Sequence, residues 1–483
     1  MKMRGRQAGE GSQSQQAALV RSEGVSRFAR NSLLTSLLAL AVPGLLGAQQ
    51  TQQPSPITLQ QAVNIALEKN PERKAALADT RAASADVREA RSFLLPHAAF
   101  SETVTRGNDP VYVFGSKLRQ QRFTTADFAL NVLNTPTPFG NFATRFGGTW
   151  NLFDSFGTWR AINRAERMRD AAGHQLDRTD QEIIFHVVDS YYGVLLAKKQ
   201  VEIAGASMKT AQAIQNSTKD RFESGVVVES DLLSAQVRLA TRKQEFIRAQ
   251  NDLALARAQL GASMGIATEN EFEPGEALEE RNLPAMTLEE AEKKAVELRP
   301  DLKGIRSEEA AQQQSVSAAK SSFGPRVNAF AGWEADNPTF LAGGGGNNWL
   351  VGVEVTVDLF DGGAKKARLS RERAMQDKIA AAKEMASDAT RLEVRRAYYE
   401  LDSARQQVEV ARATIAASQE SLRINQNRYD SGLLTITDLL AAEETARHTQ
   451  AEYWEAVYRY QTGYANLELA TGTLNPQSPL VTP

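Results

Sequence analysis

Residues 428–440, Arg-Tyr-Asp-Ser-Gly-Leu-Leu-Thr-Ile-Thr-Asp-Leu-Leu, have a second version at residues 221–233, Arg-Phe-Glu-Ser-Gly-Val-Val-Val-Glu-Ser-Asp-Leu-Leu. In each version a helical pattern reaches an Arg-aromatic pair, passes a glycine and restarts at Asp-Leu-Leu. Glycine ends a helix readily because it adopts left-handed backbone angles without a side-chain clash. We predict that the hydroxyls of Ser230 and Thr437 cap the returning helices. The sequence therefore predicts two helical hairpins, with tips at residues 221–231 and 428–438.

On both sides of these tips, apolar residues recur every seven positions, and small residues follow three places later. The row before the second tip consists of Val394, Leu401, Val408, Ile415, Leu422 and Tyr429. Heptads sustained over this length indicate a coiled coil. An ordinary helical bundle fits less well, because a helix from Ser155 to Ser224 would be about 100 Å long at 1.5 Å per residue.

The start of the chain has the composition of an export signal. The chain has 483 residues and a formal net charge of -2, which gives no reason to expect nucleic-acid binding. It contains no cysteine, so disulfides, thiolate metal sites and a lipid-bearing cysteine are excluded. Arginines precede the apolar run 33–42, which is too short to span a bilayer as a helix. We predict a signal peptide over residues 1–48, cleaved after Ala48.

The rest of the chain contains a long internal repeat. Residues 58–62 recur about 229 positions later, whereas Leu152-Phe153-Asp154 recurs about 207 positions later at Leu359-Phe360-Asp361. Matched landmarks at both ends predict two structural repeats, the first with about 22 extra residues before Leu152. The predicted division is a first repeat (49–265), a linker at the waist (266–286), a second repeat (287–472) and a C-terminal tail (473–483).

Four segments have the length, and partly the alternation, of β-strands. They are residues 97–106, 142–153, 326–334 and 349–360. A half-buried soluble sheet fits this alternation, and so do transmembrane strands of about 9–11 residues with apolar side chains outward. One strand pair is joined by a long loop, residues 107–141, and the other by a short one containing Gly343 to Gly346. Open sheet edges cannot stand in hydrocarbon, so four strands in a membrane would need further copies of the chain.

The doubled tips, the Asn70-Pro71 and Arg299-Pro300 helix breaks and the Leu-Phe-Asp joints resemble the outer membrane efflux protein (TolC-like) family over about residues 58–472. The resemblance implies a mainly α protein with a small β part. It implies a homotrimer, with a shared twelve-stranded barrel in the outer membrane bilayer of a Gram-negative-type cell and a coiled-coil α-helical barrel extending into the periplasm. Such a channel exports small molecules and works with a periplasmic adaptor (membrane fusion) protein and an inner membrane RND or ABC-type pump.

The resemblance also implies roles for residues at the tips. Asp438 matches an acidic residue facing the pore at its constriction, although an acid in the first turn of a helix is also favoured by the helix dipole. Tyr429 and Asp231 match positions that bond neighbouring coils in the closed state. Leu434 stands where relatives have a basic residue, and Ala441 where they have a second acid; Glu443 and Glu444 lie nearby at other helical angles. The implied adaptor-docking rim consists of Arg221, Phe222, Gly225, Arg428 and Gly432.

No pattern of catalytic residues accompanies these features. The four histidines lack the spacing of a zinc site, and no nucleophile elbow or phosphate-binding loop is present. We therefore predict neither an enzyme nor a cofactor or metal site. Two alternatives to drug or metal efflux stay open: an outer membrane channel for type I protein secretion, and a non-conducting coiled-coil protein of the cell envelope.

Overall fold

The computed structural model describes residues 55–266, 272–341 and 346–482. The predicted signal peptide and Gly343 to Gly345 lie outside the described residues. The helices are α1 (Leu59–Lys69), α2 (Pro71–Ser92), α3 (Pro110–Arg119), α4 (Leu130–Asn134), α5 (Gly157–Glu223), α6 (Glu229–Ser263), α7 (Leu288–Leu298), α8 (Pro300–Ser321), α9 (Ala364–Asp430) and α10 (Ile436–Thr471). The strands are β1 (Ser55–Ile57), β2 (His97–Gly107), β3 (Phe139–Phe153), β4 (Phe272–Pro274), β5 (Arg326–Asn337) and β6 (Asn347–Thr356).

The chain is mainly helical with a small sheet component, as the sequence predicted. Helices in the two halves have matching lengths: 11 residues in α1 and α7, 22 in α2 and α8, and 67 in α5 and α9. Capping boxes at Thr58 and Thr287 start α1 and α7. Pro71 and Pro300 then occupy the first position of the next helix, where a missing N–H costs nothing.

The two longest helices, α5 and α9, each extend about 100 Å at 1.5 Å per residue. Helix α5 packs against α6 and α8, and α9 packs against α10. Within the heptad row of α9, Val394, Val408 and Tyr429 are buried, as are the small residues Ala397 and Ala404 beside that row. Among the described residues, no helix combines the length and apolar composition needed to cross a bilayer.

The largest apolar core lies where α1, the middle of α5 and the end of α10 meet. Strand β4, inside the predicted linker 266–286, pairs in parallel with β1, so the linker is tied to the start of the first repeat. The predicted C-terminal tail also joins this core, because Leu474, Leu480 and Val481 are buried in it.

Two glycines allow close backbone contact beside this core. Gly265 and Gly472 follow α6 and α10 with φ angles of 68° and 72°, a region that L side chains rarely adopt. A Cβ at Gly472 would lie 2.7 Å from the Arg299 Cα, and one at Gly265 would lie 2.6 Å from the Asn70 Cα. Gly265 thus lets the end of α6 approach the break between α1 and α2, and Gly472 lets the end of α10 approach the break between α7 and α8.

The larger sheet is antiparallel, with strand order β2-β3-β5-β6, so β2 and β6 form its edges. Its strands overlap the four predicted segments, but the predicted strand 349–360 is too long, because β6 ends at Thr356. Beyond that residue the Asp358 carboxylate pairs with Arg326 and Lys365, and the Asp361 carboxylate accepts from the backbone N–H of Lys365. These bonds lead the chain into α9 and end the strand.

The two faces of this sheet differ in polarity. One face is largely apolar and exposed, with Phe100, Val104, Phe146, Trp150, Trp349, Val351, Val353 and Val355. The register pairs Arg145 with Glu334 and Asn328 with Glu354 on the opposite face. A sheet whose exposed face is apolar cannot lie in water at low cost.

We predicted a long loop between β2 and β3. The connection is long, but it is folded into helices, so the prediction of a loop is wrong in this respect. Residues 108–138, which we call the cap, contain α3, a short 3₁₀ turn (Thr125–Phe128) and α4. Asp109 caps α3 by accepting from the Tyr112 N–H, and Pro110 occupies its first turn. The aromatic rings of Phe114 and Phe128 then pack edge to face against Phe123.

Candidate functional site

The two hairpin tips have the same backbone geometry. Gly225 and Gly432 both have φ 73°, and their N–H groups donate over 2.9 Å to the carbonyls three residues earlier. The N–H groups of Val226 and Leu433 reach the carbonyls five residues earlier, at Arg221 and Arg428. This pattern is the Schellman closure of a helix, and it requires the left-handed conformation that glycine supplies.

The predicted N-caps are wrong by two residues. Val228 and Thr435 occupy the cap positions, so Ser230 and Thr437 already lie inside α6 and α10. The Thr435 hydroxyl accepts from the Asp438 N–H and donates over 2.6 Å to the Asp438 carboxylate. A cap must precede the N–H that it binds by two or three residues, and Thr435 meets this condition.

Tyr429 joins the two hairpins just above the tips. It is buried, and its hydroxyl lies 2.8 Å from the Thr218 hydroxyl of α5. The Arg221 guanidinium lies over the tyrosine ring at 4.8 Å and also donates to the Tyr429 carbonyl. A Cβ at Gly432 would be 3.6 Å from the same guanidinium. The structure therefore brings Arg221, Tyr429 and Gly432 together, with Thr218 as a partner that the sequence analysis missed.

An apolar cluster supports this contact from within. Ile214 of α5 packs with Tyr429 and with Ile436, Leu439 and Leu440. Leu434, which stands where the resemblance implies a basic residue, is partly buried against this cluster. Its side chain contributes apolar packing to the tip.

The other predicted tip residues are more exposed. Asp438 is exposed, and the Thr435 of its own helix holds its carboxylate. Asp231 is partly exposed, and its N–H donates to the Val228 carbonyl over 3.1 Å. Phe222 is 37% exposed and Arg428 is exposed. These side chains share the tips with further exposed apolar residues, which are Val226, Val228, Leu233 and Leu433.

A buried charge cluster joins the hairpins farther from the tips, at residues that the sequence analysis did not assign. Arg242 of α6 is 1% exposed. Its guanidinium donates over 2.7 Å to each of Glu443 of α10 and Glu245, and it also bonds Glu444. Ser207 of α5 donates to Glu443 from the other side. We call Ser207, Arg242, Glu443 and Glu444 the clamp.

The Glu444 carboxylate of the clamp is held ionised by its partners. Partial burial by itself raises the pKa of Glu444, but hydrogen bonds from Arg242 and Arg447 outweigh it and lower that pKa to about 2. Burial likewise opposes the charge of Arg242, yet its carboxylate partners raise its pKa above the ordinary value. Arg242 and Glu444 therefore carry charge at every ordinary pH.

A sequence signal for the clamp exists. Ala235, Arg242 and Ala249 are spaced seven apart in α6, and all three are buried. An arginine in a row of buried small residues requires a buried partner, because an unpaired charge there would be strongly unfavourable. Glu443, on the facing helix α10, is that partner.

The described residues, which omit 267–271 and 342–345, contain no group of three or more potential metal ligands.

Comparisons with known proteins agree on one family. Residues 62–266 and 292–473, which are most of the chain, match the family described as Outer membrane efflux protein. The Outer membrane protein TolC of Escherichia coli (strain K12) is 25% identical over 474 residues, covering 92% of this chain and 87% of that protein. The Alkaline protease secretion protein AprF of Pseudomonas aeruginosa is 24% identical over 432 residues, covering 85% and 84%.

A solved structure has the same fold. The Campylobacter jejuni CmeC outer membrane channel aligns with a TM-score of 0.73 and 17% identity, covering 93% of this chain and 96% of that one. Together with the family match, this likeness leads to one conclusion: the chain belongs to the outer membrane efflux protein family and is a protein of the outer membrane.

Proposed function

We propose that three copies of this chain form the outer membrane channel of a tripartite efflux system that exports small molecules. The observation that carries the proposal is the pairing of two features in one chain. One is a four-stranded sheet with an exposed apolar face, and the other is two helices about 100 Å long that end in hairpin tips. The first suits a bilayer and the second suits a conduit across the periplasm. The chain itself performs no catalysis in this proposal.

The barrel requires more than one copy. Strands β2 and β6 are sheet edges, and unpaired edges cannot face hydrocarbon. Three copies of the four-stranded sheet give twelve strands, an even number that suits an outer membrane barrel. The equal helix lengths in the two halves support an internal two-fold repeat, residues 49–265 and 287–472, around a waist at 266–286.

The tips would form the gate. Threefold symmetry turns Asp438 into a ring of three carboxylates, which attracts cations and repels anions at a narrow point. Asp231, Tyr429 and Leu434 complete the constriction. The Tyr429–Thr218 bond and the clamp hold the second hairpin against the first within each chain.

The rim of the tips would dock a periplasmic adaptor protein, which couples the channel to an inner membrane pump of RND or ABC type. Phe222, Arg428 and the exposed Leu433 offer it apolar and cationic contacts. Arg221 has a positioning role instead, because its guanidinium is engaged by Tyr429. Gly225 and Gly432 shape the turns that present this rim.

Type I protein secretion is a second candidate, because the relative AprF is named as an alkaline protease secretion protein. Efflux of drugs or metals leads because the family itself is described by efflux. Deletion of the gene separates the two candidates: sensitivity to toxic small molecules supports efflux, and loss of a secreted protein with unchanged sensitivity supports secretion.

Planar bilayer recording tests the channel itself. The wild-type trimer should conduct ions, with a preference for cations that falls when Asp438→Asn removes the carboxylate ring. Asp388→Asn is the matched control, because Asp388 is an exposed acid 42 residues before Asp430 in α9, about 63 Å along the helix. Absence of conductance would favour a non-conducting coiled-coil protein.

A further inference from the structure

The cap, residues 108–138, packs on the polar face of the sheet. Gln120, at the end of α3, is 1% exposed, and its Nε2 donates to the Asn141 side chain over 2.7 Å and to the carbonyls of Gly140 and Asn337 over 3.0 and 3.2 Å. Val113 and Ser116 of α3 are buried beside it. These contacts fix α3 to the end of the sheet at which the cap joins β2 to β3.

Ion pairs show which face the cap covers. Arg119 of α3 donates over 3.0 Å to Glu334, and Arg145 of β3 donates to the same carboxylate over 3.0 Å. Glu334 and Arg145 are register partners on the polar face, opposite the exposed valines and tryptophans. In a barrel with its apolar face in lipid, the polar face lines the interior. The cap would therefore lie inside the barrel mouth.

The cap is a folded unit with an apolar surface of its own. Lys117 and Asp127 pair at 2.6 Å, and the ring centroids of Phe123 and Phe128 are 5.1 Å apart. Its outer surface nevertheless exposes Val111 (81%), Leu130 (77%) and Phe128 (62%). Such residues inside a water-filled barrel are unfavourable unless other apolar groups cover them.

We propose that the caps of three copies meet across the barrel axis and form a second constriction, at the end of the barrel away from the helices. This inference rests on the proposed trimeric channel. The apolar surface of each cap is covered by the cap of a neighbouring copy. Lipid cannot reach the barrel interior, and the cap follows edge strand β2, where a neighbouring copy must begin.

The first experiment removes the cap. Residues Gly107 and Phe139 are directly opposite each other in the β2–β3 ladder, so a four-residue glycine-serine turn can replace residues 108–138 without changing the strand register. Single-channel conductance of the trimer with its tips open should rise about twofold or more in planar bilayers, because a narrow segment in series is lost. An unchanged conductance in an assembled trimer overturns the proposal.

The second experiment needs no deletion. The chain has no cysteine, so Val111→Cys and Leu130→Cys each introduce a single thiol per copy. Mild oxidation in outer membranes should link two copies into a dimer that resists denaturation. Val353→Cys, exposed on the apolar face, is the control and should stay unlinked. Failure of both cap variants to link copies overturns the proposal even where the deletion variant does not assemble.

The results separate this inference from the channel on which it rests. A wild-type protein that shows no conductance refutes the channel. A wild-type protein that conducts, together with unlinked cap cysteines or unchanged conductance after cap removal, refutes only the second constriction.

Discussion

The hydroxyl pair of Thr218 and Tyr429 is the contact at the tips that a single substitution can remove most cleanly. Tyr429→Phe keeps the ring under Arg221 and removes only the hydroxyl, and Thr218→Val removes its partner. A buried hydrogen bond contributes about 1 kcal/mol, so either change should shift the equilibrium between closed and open tips about fivefold toward open in each chain. Bilayer recording of open-state occupancy measures this shift.

Two comparisons make that test specific. Thr210→Val is the matched control, because the Thr210 hydroxyl bonds the Ala206 carbonyl of its own helix. The double variant should open no further than either single variant, since both remove the same bond. Wild-type occupancy in both single variants would mean that the pair does not hold the tip.

Gly472 is required by its backbone conformation and by its neighbour. Gly472→Ala forces a Cβ to within 2.7 Å of the Arg299 Cα at a φ of 72°. We expect a loss of more than about 1 kcal/mol of stability, seen as a lower Tm of the detergent-solubilised protein. Gly173→Ala in α5 is the control, because a Cβ there meets nothing within 4 Å, so its Tm should be equal or higher. A normal Tm for Gly472→Ala would contradict the close approach.

At the scale of helices, the clamp joins α5, α6 and α10. Arg242→Met would leave the Glu443 carboxylate buried without its cationic partner. Removing one partner of a buried ion pair costs about 3–5 kcal/mol, so the Tm should fall clearly and the hairpins should separate. Arg423→Met removes an exposed pair with Glu420 in α9 and should change the Tm little. Equal effects of the two substitutions would show that the clamp adds nothing to hairpin packing.

The pH dependence of the clamp follows from Glu444. Its pKa is lowered in the folded protein from 4.5 to about 2, so its contribution to stability is complete above pH 4.5 and is lost as the pH falls toward 2. The difference in Tm between wild type and Glu444→Gln should therefore be constant at neutral pH and shrink in that acidic range. A difference that instead disappears as the pH rises above neutrality would contradict this assignment.

Helices with a strong period of apolar residues were predictable from the sequence. Contacts between helices and strands were not. Heptads, prolines and glycines indicated the long helices and their turns, and the mainly helical class is confirmed. The cap was predicted as a loop because its helices are short and have no sustained period. The second N-cap was misplaced because Thr435 and Thr437 have the same chemistry, and only backbone angles distinguish them. The first was misplaced because Val228 occupies the cap position and has no capping hydroxyl.

The candidate site was predictable in part for the same reason. The repeated tip motif drew attention to Arg221, Tyr429 and Gly432, which do meet in the structure. Thr218 was missed because it lies three residues before the repeated tip motif, and Arg242 was missed because it lies well inside α6, away from any motif. Their importance depends on side chains from distant parts of the chain, such as the 211 residues that separate Thr218 from Tyr429.

At the scale of the whole molecule, the predicted family and the predicted outer membrane location are confirmed. The division of labour then follows from chemistry. In the proposed channel the sheet offers its apolar face to lipid, the long helices extend away from it, and the hairpin tips carry Asp438 and an exposed rim. Every role assigned to the tips depends on symmetry between copies, because one chain has a single Asp438 and two open sheet edges.

The native mass of the mature protein, extracted from outer membranes in mild detergent, tests this account most directly. Native mass spectrometry should give three times the mass of one mature chain, because only copies of the chain can pair β2 with β6 and close the barrel. A monomer would leave both edges unpaired in the bilayer. That result would contradict the shared barrel, the Asp438 ring and the channel itself.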